Sequence, residues 1–161
     1  MTALQGDLDL LGDPVAQELL GSKELARLAY SWLDGTPRVV PIWFHWTGKA
    51  LTFGSPPKAP KLRALEREPR VAVTIDAGGG WPYHALMVRG DAAVEMLEDV
   101  SEEYAAAARR YFGDEQGDAW CDQLPQGIGM TTFRMTPEWV GVLDFDGLRR
   151  VTSALATLMA D

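Results

Sequence analysis

Asp34-Gly35-Thr36-Pro37-Arg38-Val39-Val40-Pro41-Ile42-Trp43-Phe44-His45-Trp46 is the stretch on which the fold turns. Asp34-Gly35 is a strong hairpin signal, because tight hairpin turns need positive φ and glycine adopts it without a steric cost. On one side of the turn, Lys23 to Trp32 alternates well enough for a strand. On the other, Arg38 to Trp46 is apolar on both faces, with Val39, Val40, Ile42, Trp43, Phe44 and Trp46. Pro41 has no N–H to give a ladder, which predicts an edge, a bulge or a place where a ligand borders the strand. Gly48 then turns the chain into Ala50-Leu51-Thr52-Phe53.

Further strands follow. Val71, Val73 and Ile75 alternate with Ala72 and Thr74. Ala85 to Leu97 is the longest strand, and Gly90 in its middle predicts a bend or bulge of the kind that lets a sheet close on itself. Ile128 to Met135 and Glu138 to Phe145 are joined by Thr136-Pro137. Helices are expected at about 13–21, where Asp13 is an N-cap and Pro14 the first helical residue. Others are expected at 58–67, 100–112 and 114–124, and at the C-terminus over about 148–159. The fold class is therefore mainly β. We expect a closed or nearly closed β-barrel of six to seven mostly antiparallel strands with small peripheral helices, and a two-sheet sandwich is the alternative. A barrel also leaves no open edge on such aromatic strands.

The 161 residues, 47% of them hydrophobic, suit a single domain over 1–161 with its core at about 22–146. The net charge of −8 disfavours a general nucleic-acid binder. No apolar run approaches the roughly 20 residues of a membrane helix. The acidic N-terminus lacks the basic start of a secretory signal, so a cytoplasmic protein is expected. Cys121 is the only cysteine, which excludes an intrachain disulfide, and His45 and His84 have no ligand spacing, so no metal site is expected. His45 reads as a strand residue and Cys121 as a buried, inert thiol.

Charge is uneven along the chain. Lys58, Lys61, Arg63, Arg67 and Arg70 crowd one segment, countered only by Glu66 and Glu68. In Gly54-Ser55-Pro56-Pro57-Lys58-Ala59-Pro60-Lys61-Leu62, two lysines fall at a helix start, the wrong end for a cation against the helix dipole. An anion reverses the argument. Free N–H groups, the Ser55 hydroxyl and the ammonium groups of Lys58 and Lys61 make a phosphate cradle. Trp81 and Tyr83, after a run of three glycines, are either loop aromatics over the core or one wall of a substrate pocket. There is no catalytic triad and no usefully spaced pair of carboxylates. Gly78-Gly79-Gly80 lacks the spacing of a nucleotide fingerprint.

Several of these segments resemble the flavin-binding split barrels of the pyridoxamine 5′-phosphate oxidase-like superfamily. They are Asp34 to Phe44, then Lys49-Ala50-Leu51-Thr52-Phe53, then Lys61 followed eight residues on by Pro69-Arg70-Val71-Ala72-Val73. Val40-Pro41-Ile42-Trp43-Phe44, Gly80-Trp81-Pro82-Tyr83 and Thr136-Pro137-Glu138-Trp139-Val140 look like the flavin/deazaflavin oxidoreductase branch. The resemblance implies that Lys61, with Lys58 and Ser55, holds a cofactor phosphate. It also implies that Val40, Pro41, Ile42 and Trp43 border the isoalloxazine ring, with Thr52 and Phe53 on the paired strand. It further implies a homodimer with the cofactor, FMN or the deazaflavin coenzyme, in a groove between two barrels. The activity implied is hydride transfer to a small unsaturated or quinone-like molecule, and a non-catalytic flavin or haem carrier is the alternative. Leu143 to Arg150 does not match the Trp- and Arg-containing substrate segment of the vitamin oxidase itself.

Overall fold

A computed structural model describes residues 4–77, 79–96, 99–125 and 130–145. Among these residues there are eight strands: β1 (Ala26–Ser31), β2 (Pro37–Ile42), β3 (His45–Trp46), β4 (Leu51–Ser55), β5 (Arg70–Asp76), β6 (His84–Met96), β7 (Thr131–Met135) and β8 (Trp139–Asp144). Four helices accompany them: α1 (Pro14–Gly21), α2 (Pro60–Arg67), α3 (Glu102–Phe112) and α4 (Asp114–Asp122). A 3-10 turn over Leu8–Gly12 precedes α1 and was not foreseen. The helix expected over 148–159 lies outside the described residues.

All strand pairs are antiparallel. The sheet runs β2-β1-β5-β6-β7-β4-β3, and β8 also pairs with β6. The long strand β6 is therefore shared. Its first half, His84 to Arg89, lies against β8, and its second half, Ala92 to Met96, lies against β7. Gly90 stands where the partner changes. A Cβ there would run into the carbonyl oxygen of Thr136, in the link between β7 and β8. Only a residue without a side chain allows that approach. The two halves of the sheet curl toward each other about this point, as the bend predicted from Gly90 requires.

At the other seam the chain itself passes from β2 to β3. The single strand expected over 38–46 breaks at Trp43-Phe44, which is why the structure has eight strands. Gly35, at φ 83°, makes the hairpin turn between β1 and β2, with the Trp32 N–H donating to Thr36 O at 2.8 Å. Pro41 faces Arg27 on β2, an edge strand, where a missing donor does no harm.

The interior is filled from both halves by Leu28, Leu51, Phe53, Ile75, Leu86, Phe133 and Met135. Phe53 and Phe133, opposite each other on β4 and β7, stack at 4.9 Å and 16°, a pairing worth about 0.5–1.5 kcal/mol beyond area burial. Helix α1 inserts Val15, Ala16, Leu19 and Leu20 into this core. Its start is capped as predicted, the Val15 N–H donating to Asp13 Oδ1 at 2.8 Å. The outer edge of β8 is met by the N-terminal segment. Gly6 N donates to Val140 O at 2.7 Å, and the Gln5 amide bonds both the N–H and the C=O of Val142.

Candidate functional site

The basic segment lies between β4 and α2. Helix α2 begins at Pro60 behind an Ala59 cap that offers no side-chain hydrogen bond. Lys61 is thus in its first turn, whereas Lys58 precedes the helix and is exposed. Ser55 is not a cap. It closes β4, is 1% exposed, and its Oγ has no hydrogen-bond partner. A buried hydroxyl left unpaired costs about 1–3 kcal/mol, so this atom marks a place where an acceptor is missing. Lys61 is half-buried, and burial pulls its amine below the usual lysine range. Among the described residues no carboxylate pairs with it. By contrast, Arg67 donates to Leu33 O at 3.4 Å and Arg70 pairs with Asp91 at 3.2 Å. The residues left unengaged are the ones at the helix start, and they fit a phosphate: an orphaned donor and a desolvated cation lacking its counter-charge.

Val40 and Ile42 are partly exposed and Pro41 is exposed, along the edge strand β2. Trp43 leaves that edge and enters an aromatic cluster. It stacks on Tyr111 at 5.3 Å and 19° and meets Phe112 edge-on at 4.9 Å and Trp120 at 5.9 Å. All three belong to the α3–α4 hairpin. Arg110 fastens this hairpin: its guanidinium lies 4.4 Å over the Phe44 ring, and it donates to Phe44 O and, at 2.9 Å, to Ser22 O. The Tyr111 hydroxyl adds a bond to Glu24 O at 2.9 Å.

Thr52 and Gly54 lie under the same hairpin. The Tyr104 ring rests on Gly54, where any side chain would collide with it. The cavity that remains, bordered by Trp43, Thr52, Phe53 and Tyr104, is about 10 Å³, room for one water. Phe53 itself points into the barrel. Ser55, Lys58 and Lys61 thus fall on the short stretch from the end of β4 to the first turn of α2, and Val40 to Ile42 lie on an open edge. Trp43 and Thr52 sit beneath α3. No local signal announced that cover, because an aromatic on a strand apolar on both faces can turn either way.

His45, on β3, lines a groove of about 340 Å³ with Leu20, Gly21, Trp46 and Arg110. Burial, and then the Arg110 charge, hold its imidazole below the usual histidine range, so it is neutral at neutral pH. Trp81 and Tyr83 are exposed and form a cluster with Phe145 at 5.1 and 4.7 Å. Cys121 is partly exposed, and burial raises its thiol pKa. No helix among the described residues is long and apolar enough to cross a membrane.

Several solved structures share this fold. An F420 reductase is 26% identical, with a TM-score of 0.61 over 76% of this chain and 93% of its own. A conserved hypothetical protein of Mycobacterium tuberculosis is 16% identical, with a TM-score of 0.65 over 94% of this chain and 92% of its own. The haem storage protein HutZ of Vibrio cholerae is 22% identical, with a TM-score of 0.56 over 81% and 92%. No curated protein sequence matches the chain. The family model described as pyridoxamine 5′-phosphate oxidase matches residues 13–144, from the cap of α1 to the last residue of β8. On that match and this split-barrel topology, the chain belongs to the pyridoxamine 5′-phosphate oxidase family.

Proposed function

We propose that this protein binds a phosphate-bearing flavin-type cofactor, FMN in the first instance, and acts as an oxidoreductase on a small unsaturated or quinone-like molecule. The observations that carry the reading are the half-buried Lys61, which no carboxylate pairs with among the described residues, and the orphaned Ser55 hydroxyl at the end of the preceding strand. Lys61 supplies the charge, Ser55 a hydrogen bond, and Lys58 a second, exposed cation. The bound cofactor supplies the hydride carrier. The edge strand at Val40-Pro41-Ile42 flanks the ring. Its apolar side chains keep water away, and Pro41 leaves no N–H there in need of a partner. Trp43 and Thr52 stand behind that edge from beneath α3, and Phe53 belongs to the barrel core. Trp81 and Tyr83 supply flat apolar area for the substrate, and a second copy of the chain completes the groove in a homodimer.

A second reading takes the deazaflavin coenzyme in place of FMN. The similarity to an F420 reductase favours it, as do Lys58 and Arg63, which have no acidic partner among the described residues and are available to an anionic tail. Titration of the purified protein with FMN and with the deazaflavin coenzyme, each against its phosphate-free form, tests both. Saturable binding that weakens when the phosphate is removed supports the reading and names the cofactor. Binding of neither sinks it. Tight binding with no turnover of the reduced cofactor by quinones or enones points instead to a carrier.

A further inference from the structure

One residue of this region was not singled out by the sequence. Thr131 opens β7 directly opposite Ser55 on β4. Its Oγ1 is, among the described residues, the other buried side-chain oxygen without a partner, and the residue is 1% exposed. Directly opposed residues of an antiparallel pair point to the same face, with Cβ atoms roughly 4.5–5.5 Å apart. Two residues along that face stand Phe53 and Phe133, stacked in the barrel core. The two hydroxyls thus form the last interior rung above the aromatic stack. The third residue of the rung, Met96 on β6, is 71% exposed, which places the rung at the rim. From Ser55 the chain turns at Pro56 to Ala59, the Ala59 N–H donating to Pro56 O at 3.0 Å, and leads directly into α2.

Two unpaired buried donors on one rung are costly where alanine and valine would pack without loss. We propose that Thr131 is a second hydroxyl ligand of the cofactor phosphate, donating to the phosphate oxygen opposite Ser55. The proposal rests on the phosphate reading given above, and its chemistry is common to the phosphate of FMN and that of the deazaflavin coenzyme.

Thr131→Val keeps the side-chain shape and removes the hydroxyl. It is expected to weaken the phosphate-bearing cofactor by roughly tenfold, the size of one lost hydrogen bond to a charged group, and to leave its phosphate-free form unchanged. Without cofactor the same variant is expected to melt at a higher temperature than the parent protein, since an orphaned hydroxyl is gone. Thr131→Ser restores cofactor affinity to within about twofold, being able to donate the same bond. The titrations run with FMN and riboflavin, and with the deazaflavin coenzyme and its phosphate-free form, so the arms also tell the two sources of phosphate apart. Lys61→Ala is the control for the underlying reading. If Lys61→Ala weakens binding and Thr131→Val does not, the phosphate site stands and the role of Thr131 is overturned. If neither changes binding, both fall. Equal weakening of the phosphate-bearing and phosphate-free forms, or a lower melting temperature of the cofactor-free variant, also overturns the proposal by giving Thr131 a structural role.

Discussion

Arg110 holds Phe44 twice, with its guanidinium 4.4 Å over the Phe44 ring and its Nη2 donating to the Phe44 carbonyl. Phe44 lies in the break between β2 and β3, so this one side chain ties the α3–α4 hairpin to the seam of the barrel. It also reaches Ser22 at the end of α1. Arg110→Met is expected to destabilise the protein by about 2 kcal/mol, the scale of charged hydrogen bonds to backbone carbonyls. Arg110→Lys is expected to recover little, because an ammonium group cannot stack and fork at once. Urea denaturation measures the loss. Near-UV circular dichroism reports whether the Trp43 cluster loosens with it.

Gly90 is the second structural test. Gly90→Ala drives a methyl into the Thr136 carbonyl, and backbone cannot give way as a flexible side chain would. The expected cost is about 1–3 kcal/mol, as for other overpacking changes. A control at Gly12, where nothing lies within 4 Å of a built Cβ, is expected to stay within about 0.5 kcal/mol of the parent. Thermal melts of the two variants decide it.

The burial of Lys61 sets a pH dependence. Its folded-state pKa is lowered, so the charged amine is disfavoured in the cofactor-free fold. Stability from this group rises as pH climbs through the lowered pKa toward the ordinary lysine value, a window in which the unfolded chain holds more protons. On the proposed role of Lys61, cofactor affinity is expected to have the opposite slope, full while Lys61 is protonated and declining as pH rises through the lowered pKa. Titrations across the alkaline range should show the decline in the parent protein and lose it in Lys61→Ala.

Arg134 bridges β7, β6 and α3 by pairing with Glu95 and, at 2.9 Å, with Glu103. The hydrogen bond from Arg134, with the backbone N–H of Glu103 adding to it, holds the Glu103 carboxyl below the ordinary carboxylate range. Stability from that carboxylate is present above its unfolded pKa and is lost as pH falls through the lowered folded value. Arg134→Met is expected to lose that contribution at neutral pH and to show a flatter acid limb. Denaturation midpoints at a series of acidic pH values measure the slope.

Most of the strand plan was legible because backbone constraints write it locally. Asp34-Gly35 makes its turn, Pro41 its edge, Gly90 its bend, and Asp13 with Pro14 its helix start. Three features were not legible, for different reasons. Trp43 sits in a run apolar on both faces, and only the distant α3–α4 hairpin determines which way it turns. The helix expected from residue 58 starts later, at Pro60 behind Ala59, and Ser55 closes β4 instead of leading straight into the helix. Thr131 had no signal at all. A threonine in a strand is ordinary, and its unpaired oxygen becomes visible only when the register sets it against Ser55.

The sharing of β6 between two sets of neighbours has a consequence for how the molecule comes apart. Ala85 to Arg89 cannot part from β5 and β8 without loosening the strand that Ala92 to Met96 lend to β7. Neither half of the barrel has a central strand of its own there. The protein is thus built to lose its two sheets in one cooperative event, with the amides of β6 among the last to exchange with solvent.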